Sequence, residues 1–250
     1  MSASILPPLS DLAAVSAVFL IASLLQGTTG FGFGMLPMAL LPFLMSVRYA
    51  SVLVAMLAVF NAAYLVWSLR KSIPWGVLFR LLIGSVVGLP LGVYLLKAAP
   101  ESFIKRIVGV MVIVYSVYHV VNQRRRDKKA KLLPLWWSYP TGAVAGSLAG
   151  AANVAGPPLI FYLYSQPLGR DVLRSALASY FLVASFAKSG LSIAVGLAEW
   201  SMIAYAVVLP FIWIGAKIGL ELGTRLNRDM FANVVLVTLA ILGIILVVKG

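Results

Sequence analysis

The sequence contains no cysteine, and His119 is its single histidine in 250 residues. Disulfides, thiolate metal ligands, a cysteine nucleophile and a multi-histidine metal site are therefore excluded. Acidic residues are also scarce: seven Asp and Glu stand against twenty Lys and Arg, for a formal net charge of +13. Charged residues make up only 11% of the chain, against about 25% in an ordinary soluble domain. So few charges cannot cover the surface of a water-soluble globule of this size. What the chain does have is apolar mass, at 62% hydrophobic residues. That content excludes disorder, because disordered chains are poor in apolar residues. The chain must be dissolved mostly in lipid.

The basic excess is scattered between apolar runs rather than gathered into a nucleic-acid face. In a membrane protein such charges belong to cytoplasmic loops. The stretch from Leu12 to Leu25 has no basic region before it, and Asp11 stands where a secretory signal would carry a positive charge. It reads as part of the mature protein. No paired carboxylates, nucleophile–base pair or nucleotide-binding motif is visible within the apolar runs. Gly30-Phe-Gly-Phe-Gly34 lacks the βαβ context of a phosphate-binding fingerprint. The chain therefore reads as no enzyme and as needing no cofactor or metal.

Long apolar runs lie at 49–69, 76–96, 103–122, 172–198, 200–222 and 230–248. Each can cross a hydrocarbon core of about 30 Å. Two further pairs are shorter, 12–26 with 31–46 and 136–151 with 154–166. At about 1.5 Å per residue these pieces reach only ~20–24 Å. Each pair is split by small residues, over 26–34 in the first and 146–158 in the second. The polar segment from Gln123 to Lys131 divides the chain, and each half then reads short, short, long, long, long.

The expected organisation is a first transmembrane repeat at 1–122, a basic cytoplasmic linker at 123–135 and a second repeat at 136–250. Gly84-Ser-Val-Val-Gly-Leu-Pro-Leu-Gly92 aligns without gaps on Gly215-Ala-Lys-Ile-Gly-Leu-Glu-Leu-Gly223. Ile73-Pro-Trp75 similarly matches Ala198-Glu-Trp200. Five segments per half is an odd number, so the second half would be inverted relative to the first. Placing 123–131 in the cytoplasm then puts most basic loop residues inside and both termini outside. Counting each short pair as one span would instead divide the charges almost evenly. Re-entrant hairpins and full spans give the same count, so charge leaves that choice open. The fold expected is an all-α polytopic membrane protein. Its two inverted repeats each have about five helical segments, with short broken or re-entrant helix pairs meeting near the midplane.

Paired interrupted segments in corresponding positions of two inverted halves point to a transporter's binding site. Gln26, Thr28, Thr29, Gly30, Gly32 and Gly34 mark the first break, and Asn153, Gly156 and Pro157 the second. A half-helix starting after such a turn presents unpaired N–H groups and a positive dipole end, which suits an anion. Small residues at these places also permit tight helix packing. Lys188 lies near the centre of 172–198, flanked by Ser185 and Ser189. An ammonium at that depth costs roughly 2.5–3.5 kcal/mol. It is expected to face a cavity as an anion anchor or a proton-sensitive charge, the alternative being a lysine that snorkels to the interface. Asn61, in the equivalent segment of the first half, is expected to bond substrate or a neighbouring helix. The six glycines of the two aligned stretches read as packing ridges.

The run from Gln26 to Pro37 and the run from Ala145 to Pro158, with its Gly-Pro-Pro ending, resemble the sulfite exporter TauE/SafE family. The resemblance covers almost the whole chain. Ala151, Ala152 and Asn153 stand where many members have further glycines. The family implies bacterial inner-membrane carriers that move sulfite, sulfoacetate or related organosulfonates, with the two motifs lining the anion pathway. The expected function is a secondary transporter exporting a small sulfur oxyanion or organosulfonate by alternating access. A passive anion channel or uniporter, or a non-transporting subunit of a complex, are the alternatives. The expected partners are a small anionic substrate and the lipid bilayer, with no nucleic acid; a homodimer is left open.

Overall fold

The computed structural model of the chain describes residues 9–123 and 132–225, together with Ile244. The described residues form helices joined by short turns and contain no strand. In chain order the helices are α1 (Leu9–Thr29), α2 (Met35–Leu40), α3 (Val47–Leu69), α4 (Trp75–Ala98), α5 (Glu101–Gln123), α6 (Ser138–Ala152), α7 (Gly156–Tyr164), α8 (Arg170–Ala194) and α9 (Leu209–Arg225). A 3-10 helix, Trp200–Val208, runs directly into α9. The segment at 230–248, Ile244 apart, and residues 124–131 of the linker lie outside the described residues.

Five of these helices are long and apolar enough to cross a bilayer, at 11–29, 47–72, 75–98, 170–194 and 200–223. Their outer faces carry large exposed apolar side chains, among them Trp67, Val86, Tyr94, Phe186 and Ile203. Water would penalise such a surface and lipid would not. Trp75 begins α4, Trp200 begins the 3-10 helix, and both indoles are exposed, as interfacial anchors are. The chain is a polytopic, all-helical membrane protein.

The expected short pairs are found only in part. α6 and α7 have 15 and 9 residues and cannot span alone. α1, however, has 21 residues and extends about 31 Å. Its helix continues through Gln26, Gly27 and Thr28, with the Gly30 N–H still bonded to the Gln26 carbonyl at 2.7 Å and the Thr28 and Thr29 hydroxyls bonded back to carbonyls one turn earlier. The first break is therefore shorter than the small-residue composition implies, and falls at residues 30–34. There Gly30 and Gly32 take positive φ values of 92° and 104°, which only glycine adopts without strain.

Packing is reciprocal across the two halves. α1 lies along α9, α4 along α6, and α3 along α8. The aligned glycines make the first two contacts possible. A Cβ on Gly84, Gly88 or Gly92 would strike the carbonyls of Tyr139, Ala143 and Ser147 on α6. One on Gly215 or Gly219 would strike the carbonyls of Leu20 and Leu24 on α1, and one on Gly223 would come within 3.1 Å of the Thr28 carbonyl. Backbone thus meets backbone along both seams, as small-residue membrane interfaces allow. Ser85 joins the α4–α6 seam to α8, with its hydroxyl 2.9 Å from the Gly142 carbonyl and 2.6 Å from the Tyr180 hydroxyl.

Two arginines near the starts of helices close the ends of others. Arg48 donates to the Leu96 and Ala99 carbonyls at the end of α4, at 3.1 and 2.8 Å. Arg174 is buried at 2% exposure and donates to the Gly27 carbonyl near the end of α1. Helix C-termini leave carbonyls without intrahelical partners, and a cation there also opposes the helix dipole.

Candidate functional site

α6 ends because Asn153 turns left-handed, at φ 57°. Asparagine tolerates this region better than other residues with a Cβ. The turn directs the Asn153 side chain into the bundle, where its amide nitrogen donates to the Ser51 carbonyl at 2.8 Å and the Ser51 hydroxyl at 3.2 Å. The first break reaches the same point. A Cβ on Gly34 would overlap the Asn153 carbonyl and lie 2.9 Å from the Asn153 Cβ. The two interruptions touch, and only glycine at 34 lets them.

Lys188 approaches this junction from α8 and is 1% exposed. Its ammonium donates to the Ser51 hydroxyl at 2.7 Å, the Ala149 carbonyl at 2.9 Å and the Asn153 side-chain carbonyl at 3.0 Å. A lysine has three protons to donate, and all three are engaged. Every acceptor is neutral. No carboxylate among the described residues pairs with it. The snorkelling alternative is thereby excluded, since the charge is held inside the protein. A buried cation with hydrogen bonds but no counter-charge retains an unsatisfied electrostatic demand.

A small cavity opens beside the ammonium. The space open to the centre of a water molecule is about 40 Å³, enough for roughly three waters, since one needs about 10–15 Å³ on this measure. Its polar lining is Gln26, Asn153, Ser185 and Lys188, and much of the rest is apolar, including Phe33, Val54 and Phe181. Gly32, Gly34 and Gly156 complete the wall where the breaks meet. The Gln26 carbonyl oxygen accepts from the Asn61 amide at 2.6 Å. Among the described residues its amide nitrogen has no partner, nor has the Ser185 hydroxyl. Both are donors available at the cavity.

Six residues singled out in the sequence therefore converge on one cavity: Gln26, Gly32, Gly34, Asn153, Gly156 and Lys188. Asn61 stands behind them, bonded to Gln26 rather than lining the space. Thr28, Thr29, Gly30 and Pro157 lie elsewhere. The Thr28 hydroxyl bonds to the Leu24 and Leu25 carbonyls, and Thr29 bonds to Leu25 and Phe31. Gly30 packs on Arg174. Pro157 and Pro158 occupy the first turn of α7 and have no N–H, so that helix start offers fewer donors than a generic half-helix. The residue that sequence reasoning misses is Ser51, which bonds both Lys188 and Asn153. One serine early in an apolar run carries no signal of such a role.

The model of the family described as sulfite exporter TauE/SafE matches residues 15–246. A protein of Cupriavidus necator, named a probable sulfite/organosulfonate exporter TauE, is 25% identical over 230 residues, covering 88% of this chain and 86% of its own length. No solved structure matches the chain. With nearly the whole sequence inside the family match, the chain belongs to the sulfite exporter TauE/SafE family, whose members are membrane transporters and not enzymes.

Proposed function

We propose that the chain is a secondary transporter carrying a small sulfur oxyanion or organosulfonate outward across the bacterial cytoplasmic membrane. The observation that carries this reading is Lys188, a buried ammonium without a carboxylate partner among the described residues, beside a cavity where two helix breaks meet. Such a site lacks one negative charge, and an anion supplies it. Two donors without partners among the described residues, the Gln26 amide and the Ser185 hydroxyl, stand ready for its oxygens. The name of the Cupriavidus necator relative supports sulfur-containing anions as the class.

The mechanism proposed is alternating access between two inverted repeats, at 1–122 and 136–250, joined by a basic linker facing the cytoplasm. The reciprocal pairing of α1 with α9 and α4 with α6 supports the duplication. So does the equivalent work done by the aligned glycines. All three protons of Lys188 are already taken, so substrate must displace the Asn153 or Ser51 side chain to bond it directly. Asn153 sits at the break itself. Exchange of its carbonyl for a substrate oxygen would link binding to movement of α6 against α7.

The test is flux into or out of liposomes reconstituted with the purified chain. Sulfite or an organosulfonate should move saturably and show counterflow, the signature of a carrier. Flux without counterflow would indicate a channel. No movement of any anion would refute the transport reading and leave a structural subunit.

A further inference from the structure

Resting on that reading, we infer that a second cavity, at the face of the basic linker, is a landing site for the same anion, and that Phe31 is the partition that must move for the anion to pass between it and Lys188. The second cavity offers about 350 Å³ to water centres, several times the space beside Lys188. Its wall takes Thr29 from the end of α1, Leu163 from α7, Leu168 from the turn that follows, and Arg170 and Leu173 from α8. Arg170 is the only charged side chain in that wall. The acid beside it in sequence, Asp171, faces Arg174 at 3.9 Å. Gln166, also in the wall, donates to the Leu133 carbonyl at 2.9 Å, and Leu133 lies just past Lys131, where the basic run ends. The Ser175 hydroxyl lies 2.5 Å from the Ser72 carbonyl, which brings Arg70 and Lys71 to the same end of the bundle. A cavity at a face so rich in basic residues raises the local concentration of anions.

The two cavities lie in one line. On α8, Leu173 stands in the wall of the second, and Phe181 and Ser185 stand in the wall of the first. Leu177 falls between them, and the spacing of four puts all of these side chains on one face of the helix. On α7, Gly156 belongs to the first wall and Leu163 to the second, about 10 Å apart along the helix. At the first break, Thr29 belongs to the second wall and Gly32 to the first, with only Gly30 and Phe31 between. That turn crosses the line midway. A Cβ on Gly30 would lie 3.4 Å from Leu177, and one on Gly156 would lie 3.7 Å from the Phe31 ring.

Phe31 is 4% exposed. An anion forced past the packed ring would lose hydration with nothing to replace it. The turn itself is suited to moving. Gly30 and Gly32 flank Phe31 at φ 92° and 104°, and glycine passes to other backbone regions without the clash that a Cβ imposes. Such positions absorb the rotation of a hinge. The Thr29 hydroxyl accepts from the Phe31 N–H at 3.3 Å and lies 2.9 Å from the Phe31 carbonyl. A latch of this kind contributes little net stability, because water or an anion oxygen in the second cavity can replace it. The Phe31 N–H released by that exchange adds a backbone donor to the passage. Arrival of the anion at Thr29 is thereby linked to release of Phe31.

The experiment uses the full chain in inverted and right-side-out membrane vesicles, against vesicles that lack it. The chain has no cysteine, so an introduced one is the sole thiol. The labelling probe is 2-sulfonatoethyl methanethiosulfonate, an impermeant thiol reagent that carries a sulfonate. Applied at the linker face, it should label Leu168→Cys in the second cavity rapidly and Ser185→Cys in the first slowly. Adding Phe31→Ala should speed labelling of Ser185→Cys about tenfold or more and leave Leu168→Cys unchanged. If Phe31→Ala does not accumulate, Phe31→Leu should give a smaller acceleration in the same direction. Equal labelling of Ser185→Cys with and without the Phe31 ring would overturn the partition. For the landing site, Arg170→Gln should raise the half-saturating methanesulfonate concentration about threefold or more for flux from the linker face, and leave it unchanged from the other face. A rise from both faces, or from neither, would overturn the landing role. Absence of methanesulfonate flux by the parent chain in both directions would instead overturn the transport reading and the landing role with it, while the labelling arm still decides the partition.

Discussion

The ammonium of Lys188 lies 3.0 Å from the side-chain carbonyl of Asn153, and this bond ties the middle of one long helix to the tip of a helix break. Asn153 reaches that position only through its left-handed backbone. The charge and the turn therefore depend on one another, and each can be altered separately.

Lys188→Met keeps the length of the side chain and removes the charge. Taking an unpaired charge out of a low-dielectric interior is often neutral or stabilising. The variant should fold, with a thermal midpoint in detergent equal to or above that of the parent. Anion binding should weaken about tenfold or more. Unchanged affinity would remove Lys188 from the site.

Asn153 invites two substitutions with opposite logic. Asn153→Gly retains the left-handed turn and should unfold less readily than Asn153→Ala, by about 1 kcal/mol. Chemical denaturation in detergent would rank them. Asn153→Asp keeps the shape and places a carboxylate against Lys188. That internal charge should compete with substrate and depress methanesulfonate binding while leaving the fold intact. Equal binding by the aspartate variant would separate the Lys188 charge from recognition.

The glycine seams give a contrast within the same class of residue. Gly88→Ala forces a methyl group against the Ala143 carbonyl and should cost about 1–3 kcal/mol, as overpacking does. Gly190 lies in α8 with nothing within 4 Å of a Cβ built on it. Gly190→Ala should be neutral or stabilising by up to about 1 kcal/mol. Denaturation curves in one detergent would test the pair, and equal effects would contradict the seam.

Arg174 and Arg170 provide a second contrast, four residues apart on α8. Arg174 is buried against the end of α1, whereas Arg170 is exposed. Arg174→Ala should destabilise by about 1.5–3 kcal/mol, the range for a hydrogen bond to a charged group. Arg170→Ala should change stability little. Equal stability of the two variants would show that Arg174 contributes nothing to closing the helix end.

These residues also mark what the sequence can reveal. The helices at 47–69 and 75–98 are legible because apolar runs of that length have few alternatives in lipid. Lys188 is legible because a charge within such a run is costly wherever it points. The glycines of α4 and α9 are legible as ridges because their spacing repeats at one face. The full length of α1 is not legible. Gly27, Thr28 and Thr29 look like a loop in composition, but backbone hydrogen bonding and the close α9 seam hold them in the helix. The role of Arg174 is not legible for a related reason. Its position near a segment end fits a loop charge, and only the tertiary arrangement shows a helix end awaiting a donor. Ser51 is silent because its role depends on two partners about a hundred residues or more away.

The two glycine seams have a consequence for how the molecule comes into being. α1 is matched to α9, nearly the length of the chain away, and α4 is matched to α6 across the middle. Each half holds a groove cut for a helix that only the other half owns. During synthesis α1 must enter the bilayer with its close-contact face empty and wait for almost everything else to follow. Neither seam can close before both halves are present, so the proposed anion site would be completed only late in assembly.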